Sequence, residues 1–137
     1  MLVKVADGTL KKEWVIDAIV KPGMLVELAS STRIQVLSAT LDPIVRIVVE
    51  DFETAIGGAY ASGDQVPFVV PQVGDEVMMY ATAAALSTLA VGAALVSNGA
   101  GFAIAGSPIA GEQIATVMEV ATIAADPGLI QVLVEVN

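Results

Sequence analysis

The chain has 137 residues, a length that usually forms one domain around one core, so a single domain over residues 1–137 is expected. Apolar residues make up 55% of the chain, but aromatic residues only 4%. It contains neither histidine nor cysteine, which excludes histidine bases, thiol nucleophiles, disulfides and zinc–thiolate sites. We therefore expect no enzymatic activity, no metal and no other cofactor.

The net charge of −9 is unevenly distributed. Residues 1–46 hold all six basic residues and five acidic ones, whereas residues 47–137 hold ten acidic residues and no basic one. Such an acidic surface cannot bind phosphates by counterion release and is repelled by anionic lipids. We therefore expect neither nucleic acid nor a membrane as partner. The excess of acidic residues either keeps the protein soluble or marks a half of the protein that faces solvent, while the near-neutral half docks on a partner.

Residues 1–20 are predicted to form an extended N-terminal arm. A turn is expected at Asp7-Gly8, and Lys21-Pro22-Gly23 is a turn signal that ends the arm. Trp14 is the sole tryptophan and is either a core residue or an interface anchor. We favour the interface, where tryptophan is enriched. The predicted interface residues all lie in this arm: Leu2, Val3, Lys11, Lys12 and Trp14.

The remaining residues, 21–137, are predicted to form a body of short strands. In chain order, the expected strands are residues 24–28, 33–37, 44–49, 65–70, 76–80, 94–97, 102–105, 113–122 and 129–136. The segment 44–49 is the strongest because it is rich in branched residues. Asn98-Gly99 is a favoured hairpin turn pair. The alanines in residues 82–89 favour a short helix.

One four-residue phrase occurs three times in the body. Each copy has glycine, an acid, Gln or Glu, and a β-branched residue: Gly63-Asp64-Gln65-Val66, Gly74-Asp75-Glu76-Val77 and Gly111-Glu112-Gln113-Ile114. Glycine takes positive φ at no steric cost, the acid is expected in solvent, and the β-branched residue enters a strand. Repeated turns into strands predict an all-β fold, a compact β-barrel with at most one or two short helices.

Residues 77–111 carry no charge. A membrane-spanning helix needs about 20 apolar residues, but hydroxyl side chains, glycines and Pro108 interrupt this stretch. We therefore expect the stretch to be buried against another subunit and not in lipid.

Clustered carboxylates are the remaining candidates for catalysis or cation binding. They occur at Glu50-Asp51-x-Glu53 and at Asp75-Glu76. Neighbours on a strand point to opposite faces, so Asp75 and Glu76 cannot act on one substrate. The first cluster does not match a calcium-binding loop. We expect these acids to form solvated surface.

The turn and strand phrases follow one another in a specific order. They are KPGMLVEL at 21–28, VED at 49–51, AYASGDQV at 59–66, VP at 70–71, GDEV at 74–77, VGAALVSNG at 91–99 and VLVEV at 132–136. This order resembles that of the capsid decoration (cement) proteins of tailed bacteriophages, over most of the chain after residue 20. The chain departs from the pattern at Ala93, where an acid would follow the glycine, and in the apolar residues 82–96.

The resemblance implies a non-enzymatic virion protein with a β-barrel or β-tulip-like body. Such a protein is made in the host cytoplasm, binds the outer surface of the phage capsid, often as a homotrimer, and bridges neighbouring major capsid proteins. On this hypothesis residues 1–20 dock on the shell, and deleting residues 1–12 abolishes binding. The alternatives are another self-assembling virion component, such as a tail or fibre protein, or a small β-barrel binding module.

Overall fold

The computed structural model describes residues 9–10, 14–39, 44–50, 58–83, 88–106, 113–119, 121–123 and 127–135. These residues contain short strands and no helix, which confirms the predicted all-β fold. The strands are β1 Thr9–Leu10, β2 Trp14–Ile16, β3 Val26–Leu28, β4 Arg33–Val36, β5 Ile47–Val48, β6 Gln65–Val66, β7 Phe68–Val70, β8 Glu76–Thr82, β9 Thr88–Leu89, β10 Ala94–Ser97, β11 Ala103–Ala105, β12 Gln113–Val117, β13 Ala121–Thr122 and β14 Gly128–Val134.

Five of the strands close into a barrel, in the order β10-β11-β8-β14-β12. Its longest pairing is antiparallel, between β8 and β14, and runs from Gly128 opposite Ala81 to Leu133 opposite Glu76. β11 lies parallel to β8, and the other neighbours are antiparallel. Alternate residues of each strand point into the barrel, where Val77, Met79 and Val132 are fully buried. The predicted β-barrel is therefore confirmed.

The remaining strands of the first seventy residues form a second set of sheets, ordered β3-β4-β2-β6 and β1-β7-β5. Pro67 separates β6 from β7, because proline has no N–H to donate to a ladder. The two sheets are joined where Leu25 bridges to Ile47. Next to this bridge, Val26 N donates to Arg46 O at 3.0 Å. The two sheets are therefore hydrogen-bonded to each other beside β3, and they enclose a second core.

The two cores share a wall built from Leu25 and the start of β3, from β5 and from the start of β7. Successive residues in these three segments point to opposite sides, so that each segment is buried on both faces. Such strands show unbroken apolar runs instead of alternation. The residues that face the barrel core are Leu25, Ile47 and Val69, and those that face the second core are Val26, Val48 and Phe68.

The described part of the predicted arm belongs to this body. β1 pairs with β7, and β2 lies between β4 and β6. Val20 exchanges two backbone hydrogen bonds with Tyr60, of 3.1 and 2.7 Å. Burial explains this arrangement, because Ile16 and Val20 are both fully buried. Of residues 14–20, which were expected to extend from the body, residues 14–16 thus form a strand within it and Val20 forms a β-bridge to it, while residues 1–8 and 11–13 lie outside the described residues.

Three local predictions differ in detail from the structure. Of residues 44–49, only Ile47 and Val48 form a strand, since these two residues pair with β7 and only Ile47 bridges to Leu25 on the other side. In the stretch 82–89, Thr82 ends β8 and Thr88 and Leu89 form β9, whereas residues 84–87, on which most of the predicted helix would fall, lie outside the described residues. The predicted β10–β11 hairpin is present. Its loop spans residues 98–102, because Ser97 pairs with Ala103.

Candidate functional site

Four tight turns share one geometry, over residues 21–24, 61–64, 72–75 and 90–93. In each, the N–H of the fourth residue donates to the carbonyl of the first, at 3.0 to 3.1 Å. The third residue is always a glycine with positive φ, between 85° and 103°. This is the pattern of a type II turn, which requires glycine at that place. Two copies of the repeated phrase begin in these turns, as predicted. The glycine and acid of the third lie outside the described residues.

The acid of the repeated phrase closes the turn. Asp64 Oδ2 accepts a hydrogen bond from Ala61 N–H at 2.9 Å, and Asp75 Oδ2 accepts one from Gln72 N–H at 2.8 Å. Each carboxylate therefore bonds the residue at the start of its own turn. The prediction of solvated surface was incomplete here, since these acids serve the local fold.

The carboxylates do not assemble a metal site in the part of the chain that the structure describes. Among the described residues, no three side chains of the types His, Cys, Asp and Glu come together as a metal site would need. Asp51 and Glu53 of the predicted acidic cluster lie outside those residues. Within the same described ranges, no helix is long and apolar enough to cross a membrane.

Trp14 is the one predicted contact residue that the structure describes. It is half-buried on β2, opposite Val66 of β6. Its ring meets that of Phe68 edge to face, and it packs against the second core. Part of the ring remains at the surface, so the expected role as an interface anchor stays a prediction. Leu2, Val3, Lys11 and Lys12 lie outside the described residues.

The surface of the β3-β4-β2 sheet is locally balanced in charge. Arg33 Nε donates to Asp17 Oδ1 at 2.8 Å, and both side chains are exposed. Glu27 accepts from Ser38 N at 2.7 Å and from Gln35 Nε2 at 3.2 Å. Partial burial acts to raise the pKa of Glu27, but the hydrogen bonds from Ser38 and Gln35 and the charge of Arg46 together lower it. Burial lowers the pKa of Arg46 in turn, against the charge of Glu27.

The barrel contrasts with this sheet, because Glu76 is the only charged residue in its five strands. Register places one row of outward side chains across four adjacent strands: Gln113, Val96, Ile104 and Thr82. A second row begins with Thr116 opposite Ala94, and Gly106 N donates to Ala94 O at 3.2 Å. We call these seven residues the uncharged face: Thr82, Ala94, Val96, Ile104, Gly106, Gln113 and Thr116.

The uncharged face is partly open to solvent. Ile104 is 38% exposed and Gly106 is exposed, while the other five residues are half-buried. Gln113 Nε2 donates to Thr116 Oγ1 at 3.0 Å, and Thr116 Oγ1 donates to Glu135 Oε1 at 2.7 Å. Glu135 therefore marks one border of the face. Sequence analysis found the uncharged stretch 77–111 but not these residues, since only the strand register shows which side chains point outward.

Comparison with known proteins gives a fold but no family. No protein-family model matches the chain, and no curated protein matches it. Among solved structures, the chain is similar to the N base of the head fiber protein gp8.5 of bacteriophage phi29. The TM-score is 0.59 at 15% sequence identity, over 93% of this chain and 95% of that one. The two proteins therefore share a fold along nearly their whole lengths.

Proposed function

We propose that the chain is a non-enzymatic virion structural protein that binds the outer surface of a phage capsid. The observation that carries this proposal is the shared fold with the base of a phage head fiber, which covers 93% of the chain. The order of turn and strand phrases supports it separately, since it resembles that of capsid decoration proteins. The absence of histidine and cysteine and the structural use of Asp64 and Asp75 fit a mechanical role.

On this proposal, the protein stabilises the shell by bridging neighbouring major capsid proteins. Each subunit would add buried surface across the boundary between two capsid proteins, where the pressure of packaged DNA pulls them apart. Several modest contacts together become strong through multivalency. A homotrimer would bridge more neighbours than one copy could. The N-terminal residues would dock, because they contain Lys4, Lys11 and Lys12, while the acidic residues after position 46 would face solvent.

The direct test is co-sedimentation of the purified protein with empty, expanded phage heads. We expect binding at a fixed stoichiometry and a higher temperature of shell disruption. Capsids treated with bovine serum albumin at equal concentration give the control. A protein that stays in the supernatant at all ratios would contradict the proposal and favour a β-barrel binding module.

The docking segment needs a narrower test than deletion of residues 1–12. That deletion would remove β1, whose residues pair with Val69 and Val70, and would disturb the body. A deletion of residues 2–8 and a Lys11→Ala/Lys12→Ala double variant both retain β1. We expect both to weaken binding to heads. Lys21→Ala removes a similar charge at an exposed site on the body and should bind as the wild type does. Unchanged binding by both test variants would show that the arm does not dock.

A second candidate function is the base of a head fibre. The structural similarity favours it directly, since the matched protein is itself the N base of a head fiber. Cryo-electron microscopy of heads mixed with the protein separates the two. A decoration protein would occupy repeated positions over the whole shell, whereas a fibre base would carry a further projecting component.

A further inference from the structure

We propose that Asn98-Gly99 is a deamidation site, which the fold protects as long as the hairpin loop of residues 98–102 stays attached to the other half of the molecule. The reaction takes place within the chain and needs only water, so it does not depend on the partner that the protein binds. Its product would decide whether the loop can close again.

An asparagine followed by glycine is the pair that deamidates most readily, because glycine has no side chain to hinder attack by its own backbone nitrogen. The Gly99 nitrogen loses its proton and bonds to Asn98 Cγ, the bond from Cγ to the side-chain nitrogen breaks, and ammonia leaves. One water then opens the cyclic succinimide at either carbonyl and leaves aspartate or isoaspartate at position 98. The other asparagine of the sequence, Asn137, is not followed by glycine.

The folded loop engages both reacting groups in other hydrogen bonds. Gly99 N donates to the buried Ser97 Oγ at 3.2 Å. Asn98 Oδ1 accepts from Ala100 N at 2.7 Å and from Phe102 N at 3.2 Å. Attack on Cγ requires the carboxamide to rotate and the chain to bend towards it, and these three bonds oppose both movements. The closed loop is therefore the protected state.

Contacts distant in the chain keep the loop closed. Leu25 N donates to Gly101 O at 2.9 Å, Gly101 N donates to Leu37 O at 3.1 Å, and Leu37 N donates to Leu25 O at 3.0 Å. We call these three bonds the junction, since they form a closed ring between three segments. Next to it, Phe102 packs against the second core and meets the Tyr80 ring edge to face. The loop therefore opens only when the junction breaks, and the rate of deamidation measures that opening.

Isoaspartate would make the opening permanent. It adds one carbon atom to the main chain at position 98 and so displaces the rest of the loop. The junction has no room for a displaced chain, because even a Cβ at Gly101 would lie 2.6 Å from Val36 Cγ1 and 3.2 Å from Leu25 O. Aspartate keeps the length of the main chain and the acceptor oxygens. The aspartate product can therefore rebuild the junction, whereas the isoaspartate product cannot.

Mass spectrometry of the full chain, incubated at mildly alkaline pH, tests the inference. Deamidation replaces a side-chain NH₂ with OH, and fragmentation of the peptide that contains residue 98 locates the change. We expect the folded chain to react on the order of 100-fold more slowly than the same chain in guanidinium chloride, because the reaction needs the loop to open. Asn98→Asp should release no ammonia from this peptide and confirms the site.

Two variants test whether the loop itself gives the protection. Ser97→Ala removes the acceptor of Gly99 N–H, and Gly101→Ala disturbs the junction. Each should speed deamidation of the folded chain about tenfold, and Ser97→Ala keeps the test decisive if Gly101→Ala does not fold. Ser62→Ala and Gly63→Ala are matched controls, since both residues lie in the exposed 61–64 turn and a Cβ at Gly63 would meet nothing within 4 Å. Both controls should react as the wild type does.

Hydrogen exchange tests the consequence for the junction. The full chain is deamidated in guanidinium chloride and refolded, and its aspartate and isoaspartate products are separated. The amide hydrogens of Leu25 and Leu37 should exchange faster in the isoaspartate product than in the aspartate product. Equal deamidation rates in the folded and unfolded chain would overturn the inference. So would a folded Ser97→Ala variant that reacts as the wild type does, or equal exchange in the two products.

Discussion

The rings of Trp14 and Phe68 meet edge to face, with centroids 6.1 Å apart and planes at 88°. Trp14 lies on β2 and Phe68 on β7, and these strands are not paired with each other. The contact therefore links the sheet β3-β4-β2-β6 to the sheet β1-β7-β5, next to Pro67, where β6 ends and β7 follows. A residue that sequence analysis assigned to an interface thus has a structural role in the second core as well.

Replacing Trp14 should measure that structural role. We expect Trp14→Ala to lower the free energy of unfolding by about 2 kcal/mol, less than for a fully buried tryptophan because the ring is half-buried. Trp14→Phe keeps an aromatic ring against Phe68 and should lose less than half as much. Urea unfolding followed by circular dichroism gives both values. Equal stability of Trp14→Ala and the wild type would show that the ring does not contribute to the core.

Glycines at the junction of the two halves should be far less replaceable than those in open turns. A Cβ at Gly101 would lie 2.6 Å from Val36 Cγ1 and 3.2 Å from Leu25 O, and φ there is +87°. We expect Gly101→Ala to cost about 3 kcal/mol, from backbone strain and overpacking together. Thermal and urea unfolding of the purified variant would measure this.

Gly63 and Gly74 provide the matched control for that prediction. Both have positive φ, but a Cβ at either would meet nothing within 4 Å. Their alanine variants should lose only the strain component, about 1 kcal/mol. If Gly63→Ala were as damaging as Gly101→Ala, close packing at the junction would not be the cause.

The carboxylates of the repeated phrase should stabilise their turns. Asp64→Ala and Asp75→Ala each remove an acceptor for the N–H at the start of the turn, and we expect a loss of about 1 kcal/mol for each. Asp64→Asn and Asp75→Asn keep an acceptor oxygen and should recover most of it. Urea unfolding of the four variants compares them at equal pH. An asparagine variant as unstable as its alanine counterpart would indicate that charge, not the hydrogen bond, is important.

Much of the local structure follows from the sequence. The turns at 61–64 and 72–75 were predictable because positive φ restricts the third residue to glycine, and most strands were predictable from their apolar runs. The pairing of the strands with one another could not be predicted. Residues 47–48 and 68–69 are buried on both faces, so their sequence lacks the alternation that would indicate which side faces which core.

The candidate site was harder to predict for the same reason. The lack of charge in residues 77–111 indicates a contact surface, but a shift of one residue in register would turn Ile104 inward and Ala103 outward. Register here depends on the parallel pairing of β11 with β8 and on the irregularity in β10–β12 between Leu95 and Val96. Both arise from contacts distant in the chain. The role of Trp14 was ambiguous because core and interface favour the same residue.

Stability should depend on pH through Glu27, whose folded pKa is lowered from its ordinary value of 4.5. The folded state then favours the carboxylate, so this stabilisation is present above pH 4.5 and is lost as the pH falls through the lowered folded pKa.

Glu27→Gln keeps an acceptor for Ser38 but removes the charge beside Arg46. We expect it to be less stable than the wild type near pH 7 by about 0.5 kcal/mol, a small value because water screens this partly exposed group. The difference should shrink in urea unfolding near pH 3. Glu119→Gln removes one negative charge at an exposed site and provides the control; an identical pH profile for both variants would contradict the prediction.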